Sequence, residues 1–405
     1  MKTDFYATYD EIDRLFACNR ISAMIWNKIL DKAKEYRKKH NGAWISQGQL
    51  EKELKNIYPL HSQSVQAVAQ RYCDNRQSTK AARDKGYLNV RYPWRYKHAY
   101  PTRWKQNIKL IGNKISLPLG MWSGHRQTPI ELELPKSSLE RLTGAKIQQI
   151  DLIWDNRLML AICYEDGKQA PKTTNPQEPV AAGIDLGEIH SISAATEKGH
   201  SIIITGRKLR SVNRFRNKQL AEICSKQSKC KKYSRRWKKL QRAKRYMLHK
   251  AEAQVRDCTH KITKNFVDWA IDHNVKHVYC GNPEGVQRNT SKKKPKNRKN
   301  PQKLKEPKEA QKLSNWNFGT VMDYLKYKLA RKGIGFEKIS EAYTTQTCPV
   351  CGQEHKCKGR NYVCTCGYTA HRDAHGAMNI LSRGINDGKI KFVATLKRPK
   401  YLRSA

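Results

Sequence analysis

The part of the chain that follows Val180 has an order of patterns that few folds can accommodate. Three short apolar segments come first, in VAAGIDLGEIHSISAATEKGHSIIITG, and predict three strands joined by tight turns. A very basic segment from Arg207 to about His273 predicts a long pair of helices. KHVYCG and IGFEKIS predict two further strands, separated by a helix in WNFGTVMDYLKYKLARKG, and HGAMNILSRGI predicts a closing helix.

This order of elements predicts an α/β fold in which an RNase H-like domain occupies residues 180–385. Residues 1–165 predict a separate region: helices to about residue 80, then alternating strands that form a β-barrel or sheet module framed by the helices. Residues 166–179, rich in Pro, Lys and Thr, predict a linker. Residues 386–405 predict a loose, basic C-terminal tail.

The net charge of the chain limits the kinds of molecule that it can be expected to bind. The chain has 80 Lys and Arg against 35 Asp and Glu, a formal net charge of +45. Self-repulsion of this size destabilises a compact protein unless a polyanion neutralises it, and this argues against an ordinary soluble enzyme. A membrane surface or a ribosome would also attract such a chain, but nucleic acid is the favoured polyanion. Because neither a transmembrane segment nor a signal peptide is visible, we expect a cytoplasmic, nucleoid-associated protein with no membrane partner.

An aromatic and basic segment, Gly86–Trp104, supplies candidate nucleic-acid contacts. Aromatic rings interleaved with Arg and Lys suit stacking on bases beside phosphate contacts. The same pattern is also typical of an aromatic-rich strand that packs in a core, and both interpretations stay open. The candidate contact residues are Arg91, Trp94, Arg95, Arg103 and Trp104.

Acidic residues at the ends of predicted elements indicate a site for divalent ions. Asp185 ends the first buried strand, and Asp373 lies at the start of the last helix, where a capping role is the plain alternative. Two-metal hydrolysis of a phosphodiester needs such carboxylates at the ends of neighbouring elements. In this fold a further acid usually ends the KHVYCG strand, but Cys280 and Gly281 stand there.

Two glutamates are available in its place. Glu284 lies in a turn-like GNPEG segment, whereas Glu341 ends the next predicted strand. Because the two strands should be neighbours in the sheet, a side chain at either end could reach the same ions. We favour Glu341 and keep Glu284 as the alternative. Mg²⁺ or Mn²⁺ are the expected catalytic ions because both prefer oxygen ligands.

A cysteine cluster predicts a structural metal site within a ribbon at residues 343–370. TCPVCG supplies Cys348 and Cys351, and YVCTCGY supplies Cys364 and Cys366. Two short cysteine pairs separated by about a dozen residues are typical of tetrahedral Zn²⁺. Because the second pair is one residue tighter than the common spacing, Cys357 or His355 are candidate substitute ligands.

These motifs together resemble the TnpB family, the nucleases carried by bacterial and archaeal insertion sequences. The resemblance rests on GIDLG, WNFG, EAYTTQTCPVCG, YVCTCGY and HRDAHGAMNI, and covers Val180 to about Arg383. It implies an RNA-guided DNA endonuclease with a RuvC-like domain, an inserted zinc ribbon, and a helical recognition module and β-barrel wedge in the N-terminal half. Guide RNA and target double-stranded DNA would be its partners, and a short motif beside the target would be read by the N-terminal half.

The resemblance also implies roles for individual residues. Asp185 and Asp373 match the first and third carboxylates of the family. The second departs from the common pattern, but the EAYT motif resembles a rearranged form found in some relatives and in the Fanzors, which supports Glu341. Three alternatives remain: a non-cleaving RNA-guided repressor, a guide-free transposase or resolvase of the same fold, and a structural RNA-binding protein with a zinc knuckle.

Overall fold

The chain divides into two units, Met1–Lys168 and Gln169–Ala405. The computed structural model describes residues 1–169, 178–283, 307–356 and 359–403. Residues 170–177 of the predicted linker, Glu284 and Cys357 therefore lie outside the described residues. Among the helices described, none combines the length and apolar character that crossing a membrane requires.

The first unit begins with the predicted helices. They are α1 (Tyr9–Lys39), α2 (Gln47–Glu53), α3 (Ser62–Asp84) and a short α4 (Lys136–Leu142) that the sequence pattern had not indicated. Thr8 starts α1 with a capping box, since its side chain accepts from the backbone N–H of Glu11 and the Glu11 carboxylate accepts from that of Thr8. Ile25, Ile29 and Leu30 are buried and Ile21 is half-buried, so these residues form the apolar face of α1.

The strands of the first unit form small antiparallel sheets around one apolar core that also includes the helices. A four-stranded sheet has the order β1-β9-β8-β2, a three-stranded sheet the order β3-β4-β7, and β5 and β6 form a hairpin. An isolated bridge pairs Tyr6, which follows β1, with Glu133 at the end of β7. The strands are β1 (Lys2–Thr3), β2 (Thr102–Trp104), β3 (Lys109–Ile111), β4 (Lys114–Leu117), β5 (Met121–Trp122), β6 (His125–Arg126), β7 (Ile130–Glu133), β8 (Lys146–Trp154) and β9 (Leu158–Glu165).

The second unit is built on a six-stranded sheet of order β14-β13-β10-β11-β12-β17. Strands β10, β11 and β12 pair antiparallel, while β13 and β14 continue the sheet parallel to β10. This arrangement confirms the predicted RNase H-like α/β fold. The strands are β10 (Val180–Asp185), β11 (His190–Thr196), β12 (Ser201–Thr205), β13 (Val275–Asn282), β14 (Gly335–Ser340) and β17 (Lys400–Arg403).

Five helices are described in the second unit. They are α5 (Arg207–Ser228), α6 (Arg235–Asp272), α7 (Pro307–Ser314), α8 (Phe318–Ala330) and α9 (Arg372–Ile385). The end of α6 and all of α8 pack on one face, against Ala182 and Ile184 of β10. Side chains alternate along a strand, so Gly183 points to the other face, where a Cβ would clash with the Ala377 carbonyl of α9. Glycine therefore lets α9 lie directly on β10.

A short hairpin follows β14 in the chain and precedes α9. Its strands are β15 (Asn361–Val363) and β16 (Thr369–His371), and they pair antiparallel. The first predicted cysteine pair precedes this hairpin, and the second lies in the turn between its two strands. The metal-type ribbon is therefore inserted between β14 and α9.

The C-terminal residues correct a prediction. We expected a loose basic tail, but β17 pairs in parallel with β12, from Ile202 beside Lys400 to Thr205 beside Arg403. The reason lies in the sheet, because an edge strand such as β12 presents a row of backbone groups that need partners. Pairing with β17 satisfies them although the basic side chains of β17 give no strand signal.

Candidate functional site

Three carboxylates come together at one edge of the six-stranded sheet. Asp185 is the last residue of β10, Glu341 directly follows β14, and Asp373 lies in the first turn of α9. Since β10 and β14 both run parallel to β13, their C-terminal ends meet at the same edge. The start of α9 closes over that edge, where a Cβ placed on Gly376 would lie 2.9 Å from Oδ2 of Asp185.

Glu341 reaches this site across β13. Gly281 of β13 lies beside Ile339 of β14, and a Cβ placed on Gly281 would lie only 3.0 Å from Oε2 of Glu341. Glycine at the position where an acid was expected therefore makes the room that Glu341 occupies. Oε2 of Glu341 is buried and has no hydrogen-bond partner among the described residues. An unpartnered buried carboxylate oxygen is costly, and a cation would remove that cost.

The protonation of the site depends on burial and on the crowding of negative charge. Burial and the nearby charges of Glu341 and Asp373 raise the pKa of Asp185 to about 7. Burial raises the pKa of Glu341 to about 7 as well. Carboxylates that share a buried site cannot easily all be ionised at once. A bound cation would stabilise their ionised forms, so the site suits a metal ion.

Asp373 behaves differently because two groups hold it. Burial acts to raise the pKa of Asp373, but the hydrogen bond from His190 and the charge of Arg372 outweigh burial and lower that pKa below its usual value. Nδ1 of His190 lies 2.6 Å from Oδ2 of Asp373, and Nε of Arg372 lies 3.1 Å from Oδ1. Neither partner was predicted from the sequence. The signal for His190 was weak: a histidine that opens the strand after GIDLG.

The ribbon gathers the four predicted cysteines into one cluster. The Sγ atoms of Cys348, Cys351, Cys364 and Cys366 all lie within 4.8 Å of one another. The closest pairs are Cys348 with Cys366 at 3.6 Å and Cys351 with Cys364 at 3.4 Å. Thiolates bound tetrahedrally to Zn²⁺ at about 2.3 Å would be about 3.8 Å apart, so the cluster fits such an ion after small shifts.

Both knuckles are closed by a glycine that follows the second cysteine of the pair. Gly352 and Gly367 each adopt a positive φ and donate a backbone hydrogen bond to the carbonyl of the first cysteine of their pair. Glycine adopts this backbone without strain, which lets each turn close tightly around a metal. His355, the other candidate ligand, directs Nε2 to the carbonyl of Val363 at 2.8 Å and is not part of the cluster.

The ribbon also contacts the helix that carries Asp373. Tyr362 stacks between His355 and His375, with ring centroids 4.7 and 3.9 Å away. Nδ2 of Asn379, on α9, donates to the carbonyls of Thr344 and Thr347, each at 2.8 Å. The ribbon is therefore packed against α9 and hydrogen-bonded to it.

The aromatic and basic segment of the first unit separates into two groups. Arg91, Trp94 and Arg95 are exposed, Trp94 to 60%, and they line a cleft of about 450 Å³. Trp104 is only 1% exposed and donates Nε1–H to the Pro118 carbonyl, so the prediction that it stacks on bases is wrong. Its position on β2 points the ring into the core.

Arg103 is also engaged within the protein. Its Nε and Nη2 donate to the two carboxylate oxygens of Asp151 at 2.7 and 2.9 Å. A bidentate pair of this kind occupies the donors that a phosphate would need. The predicted phosphate contact at Arg103 is therefore not free in this structure.

Without Mg²⁺ or Mn²⁺, and with the ribbon zinc retained, the protein should lose stability as pH rises towards 7. The pKa values of Asp185 and Glu341 rise from 3.8 and 4.5 to about 7 on folding, so the folded state holds protons that the unfolded chain releases. Raising the pH between these values therefore favours unfolding. Melting temperatures of wild type and Asp185→Asn, measured from pH 5 to 8 without added Mg²⁺ or Mn²⁺, should diverge, with wild type falling relative to the variant. Parallel curves would contradict the burial of these charges.

Two family models match the chain. One, described as "Probable transposase", matches residues 161–287. The other, described as "Cas12f1-like, TNB domain", matches residues 318–380 and so includes Glu341, the four cysteines and Asp373. The two matches together include Asp185, so all three carboxylates lie in matched residues.

Individual proteins with similar sequences or structures agree with these family models. A TnpB-like protein of Methanocaldococcus jannaschii is 23% identical over 212 residues, which are 51% of this chain and 70% of that protein. A putative transposase of Paramecium bursaria Chlorella virus 1 is 38% identical over 64 residues, 15% of each chain. The solved structure of a Cas12f1–sgRNA–target DNA complex matches with a TM-score of 0.62 at 16% identity, covering 91% of this chain and 82% of that one. These matches support a TnpB-family protein, as the sequence motifs indicated, and the solved structure shows the same fold.

Proposed function

We propose that this protein is an RNA-guided DNA endonuclease. The observation that carries the proposal is the convergence of Asp185, Glu341 and Asp373 at one sheet edge, with a buried Glu341 oxygen that lacks a partner. We assign hydrolysis of phosphodiester bonds in the target DNA to this site. The first unit, with residues 1–165, would recognise guide and target, and residues 180–385 would cut.

The donor set suits a hard divalent cation. All three proposed ligands are carboxylates, and Mg²⁺ or Mn²⁺ prefer oxygen. Bound as a pair, such ions would activate the attacking water and stabilise the leaving oxygen. The chain contributes fixed ligands: β10 and α9 hold Asp185 and Asp373 on rigid elements, and Gly281 leaves Glu341 the space to reach them. Zn²⁺ in the ribbon would be structural, since four thiolates leave no open position.

The charge of the chain supports nucleic acid as its partner. Lys and Arg crowd the exposed surface of α5 and α6, in a protein with a net charge of +45. The similar Cas12f1 structure was solved with sgRNA and target DNA. We therefore propose a guide RNA and double-stranded target DNA as partners, which places the action of the protein at the nucleoid. Arg91, Trp94 and Arg95 would contribute stacking and phosphate contacts from the first unit.

Replacing Trp94 and Trp104 should separate binding from folding. Trp94→Ala should weaken binding of nucleic acid by about 1–3 kcal/mol, the cost of losing one stacked base, with the melting temperature unchanged. Trp104→Ala should instead cost about 3–5 kcal/mol of stability, because it removes a buried ring from the core. Fluorescence-polarisation titrations and urea unfolding test the pair. Equal binding by wild type and Trp94→Ala would remove this cleft from the interface.

Gly376→Ala should reduce cleavage by about 10²-fold, because displacing a reacting group by about 1 Å can cost this much. The new Cβ would lie 2.9 Å from Oδ2 of Asp185 and 3.1 Å from Cγ2 of Thr345, so the carboxylate must move. Gly319→Ala is the matched control: it lies in helix α8, where an added Cβ meets no atom within 4 Å. Cleavage rates at saturating Mg²⁺ compare the two. Full activity of Gly376→Ala would show that Asp185 need not hold its position.

Sequencing the RNA that co-purifies with the protein tests the proposal. The protein should be purified from cells that carry its native flanking DNA. One abundant RNA that ends in sequence from just outside the element would support an RNA-guided protein. Random fragments, or no RNA, would favour a guide-free transposase instead.

A further inference from the structure

One hydrogen bond to the candidate site spans almost half of the chain. His190 and Asp373 are 183 residues apart in sequence, and Nδ1 of His190 lies 2.6 Å from Oδ2 of Asp373. His190 is the first residue of β11, next to the strand that ends in Asp185. Its side chain is only 8% exposed.

The direction of this hydrogen bond follows from its partners. An ionised carboxylate oxygen can only accept a hydrogen bond. Nδ1 of His190 therefore carries a hydrogen and donates the hydrogen bond to Asp373. His190 therefore fixes one oxygen of Asp373 from the rigid sheet. Arg372, the second partner, is a weaker anchor: its side chain is 40% exposed, its Nε lies 3.1 Å from Oδ1, and its Nη1 also donates to the Gly359 carbonyl.

A second chain of contacts holds the backbone at the same place. Nδ1 of His371 accepts from the backbone N–H of Asp373, so Nε2 of His371 carries the proton and donates to the hydroxyl oxygen of Tyr401 at 2.8 Å. Tyr401 belongs to β17, the strand that pairs with β12 at the edge of the sheet. His371 thus holds the backbone of Asp373, while His190, the shorter and more buried of the two side-chain contacts, fixes the rotation of its carboxylate.

We propose that His190 is a positioning residue for the metal site: its Nδ1–H fixes the rotation of the Asp373 carboxylate at which this group shares an ion with Asp185 and Glu341. This inference rests on the proposed function, in which Asp373 is a metal ligand. Groups that orient metal ligands affect affinity, and their loss typically costs about 10–100-fold in metal binding.

Three substitutions of His190 distinguish positioning from packing. In His190→Asn the amide nitrogen takes the place of Nδ1 and can still donate to Asp373. In His190→Gln the amide nitrogen takes the place of Nε2 and cannot, although the side chain is of similar size. His190→Ala removes the donor and the volume together.

The readout is Mn²⁺ binding to the purified protein, measured by electron paramagnetic resonance, together with the Mg²⁺ dependence of cleavage. We expect His190→Gln and His190→Ala to weaken Mn²⁺ binding about 10–100-fold, and His190→Asn to restore most of the affinity. If His190 served packing alone, the stability of the variants would follow the size of the new side chain. His190→Gln would then fold well and bind Mn²⁺ with wild-type affinity.

Asp373→Asn separates this inference from the proposed function. If Asp373→Asn binds Mn²⁺ as wild type does, the metal site itself is wrong. If Asp373→Asn loses Mn²⁺ but His190→Gln binds it with wild-type affinity, the metal site stands and the role of His190 is overturned. Failure of His190→Asn to bind better than His190→Gln would overturn it too.

Discussion

Asp185→Ala is expected to lower the rate of DNA cleavage by at least about 10³-fold while leaving binding of guide and target unchanged. Each divalent ion contributes several kcal/mol of transition-state stabilisation, and each 1.36 kcal/mol is tenfold in rate. Burial raises the pKa of Asp185, and the charges of Glu341 and Asp373 raise it further, so both carboxylates act on this side chain. Single-turnover cleavage and gel-shift assays on the same preparation separate rate from binding. Cleavage within tenfold of wild type would place the chemistry elsewhere.

A set of glutamate substitutions identifies the second carboxylate in the same assay. Glu341→Gln should be as inactive as Asp185→Ala, whereas Glu284→Gln should cut normally. Glu337→Gln is the matched control, because Glu337 lies on the same strand, β14, but has a side chain that is 57% exposed. An inactive Glu284→Gln with an active Glu341→Gln would exchange the two assignments.

Cys348→Ser is expected to release the zinc, unfold the ribbon and reduce cleavage by about 10²-fold or more. The ribbon has a very small apolar core of its own, formed by Cys348, Tyr362 and Cys364 with Tyr368 at its side. Domains of this kind rely on the metal, whose apparent binding free energy is about 10–16 kcal/mol in zinc-finger peptides. Unfolding would remove the stacking on His375 and the hydrogen bonds from Asn379, which support the helix that carries Asp373.

The zinc content of purified variants, with hydrogen exchange across α9, measures this effect. Wild type should hold one zinc ion per chain, and Cys366→Ser should lose it as Cys348→Ser does. Cys357→Ser should keep it, since Cys364 and Cys366 already complete the cluster with the first pair. If Cys366→Ser kept zinc and Cys357→Ser lost it, Cys357 would replace Cys366 as the fourth ligand. If α9 exchanges hydrogen at the wild-type rate in a variant without zinc, the ribbon does not stabilise α9.

The sheet of the second unit was predictable because its strands have local signals. VAAGID and KHVYCG are apolar runs, and their burial on both faces leaves few alternatives to a central strand. The placement of Asp185 at a strand end follows from the same run. Glu341 could be favoured from the sequence because parallel neighbouring strands end at one edge, and Gly281 now supplies the steric reason.

Other features were set by distant contacts. The sequence KYLR has no strand pattern, and β17 forms because the edge of β12 accepts it. Trp104 and Trp94 share one local pattern, and only the fold decides that one ring is buried and the other exposed. The contact between His190 and Asp373 joins residues 183 positions apart, which no local pattern could indicate.

Cleavage of a matched DNA duplex by the purified protein–RNA complex tests the central claim most directly. The substrates should be duplexes that match the guide RNA, duplexes scrambled over the same segment, and matched duplexes without Mg²⁺. The account predicts that only the matched duplex with Mg²⁺ is cut, and that Asp185→Ala binds this duplex without cutting it. Binding of the matched duplex without cleavage by wild type would contradict the account and indicate an RNA-guided repressor, and cleavage independent of the guide would contradict it in favour of a guide-free nuclease.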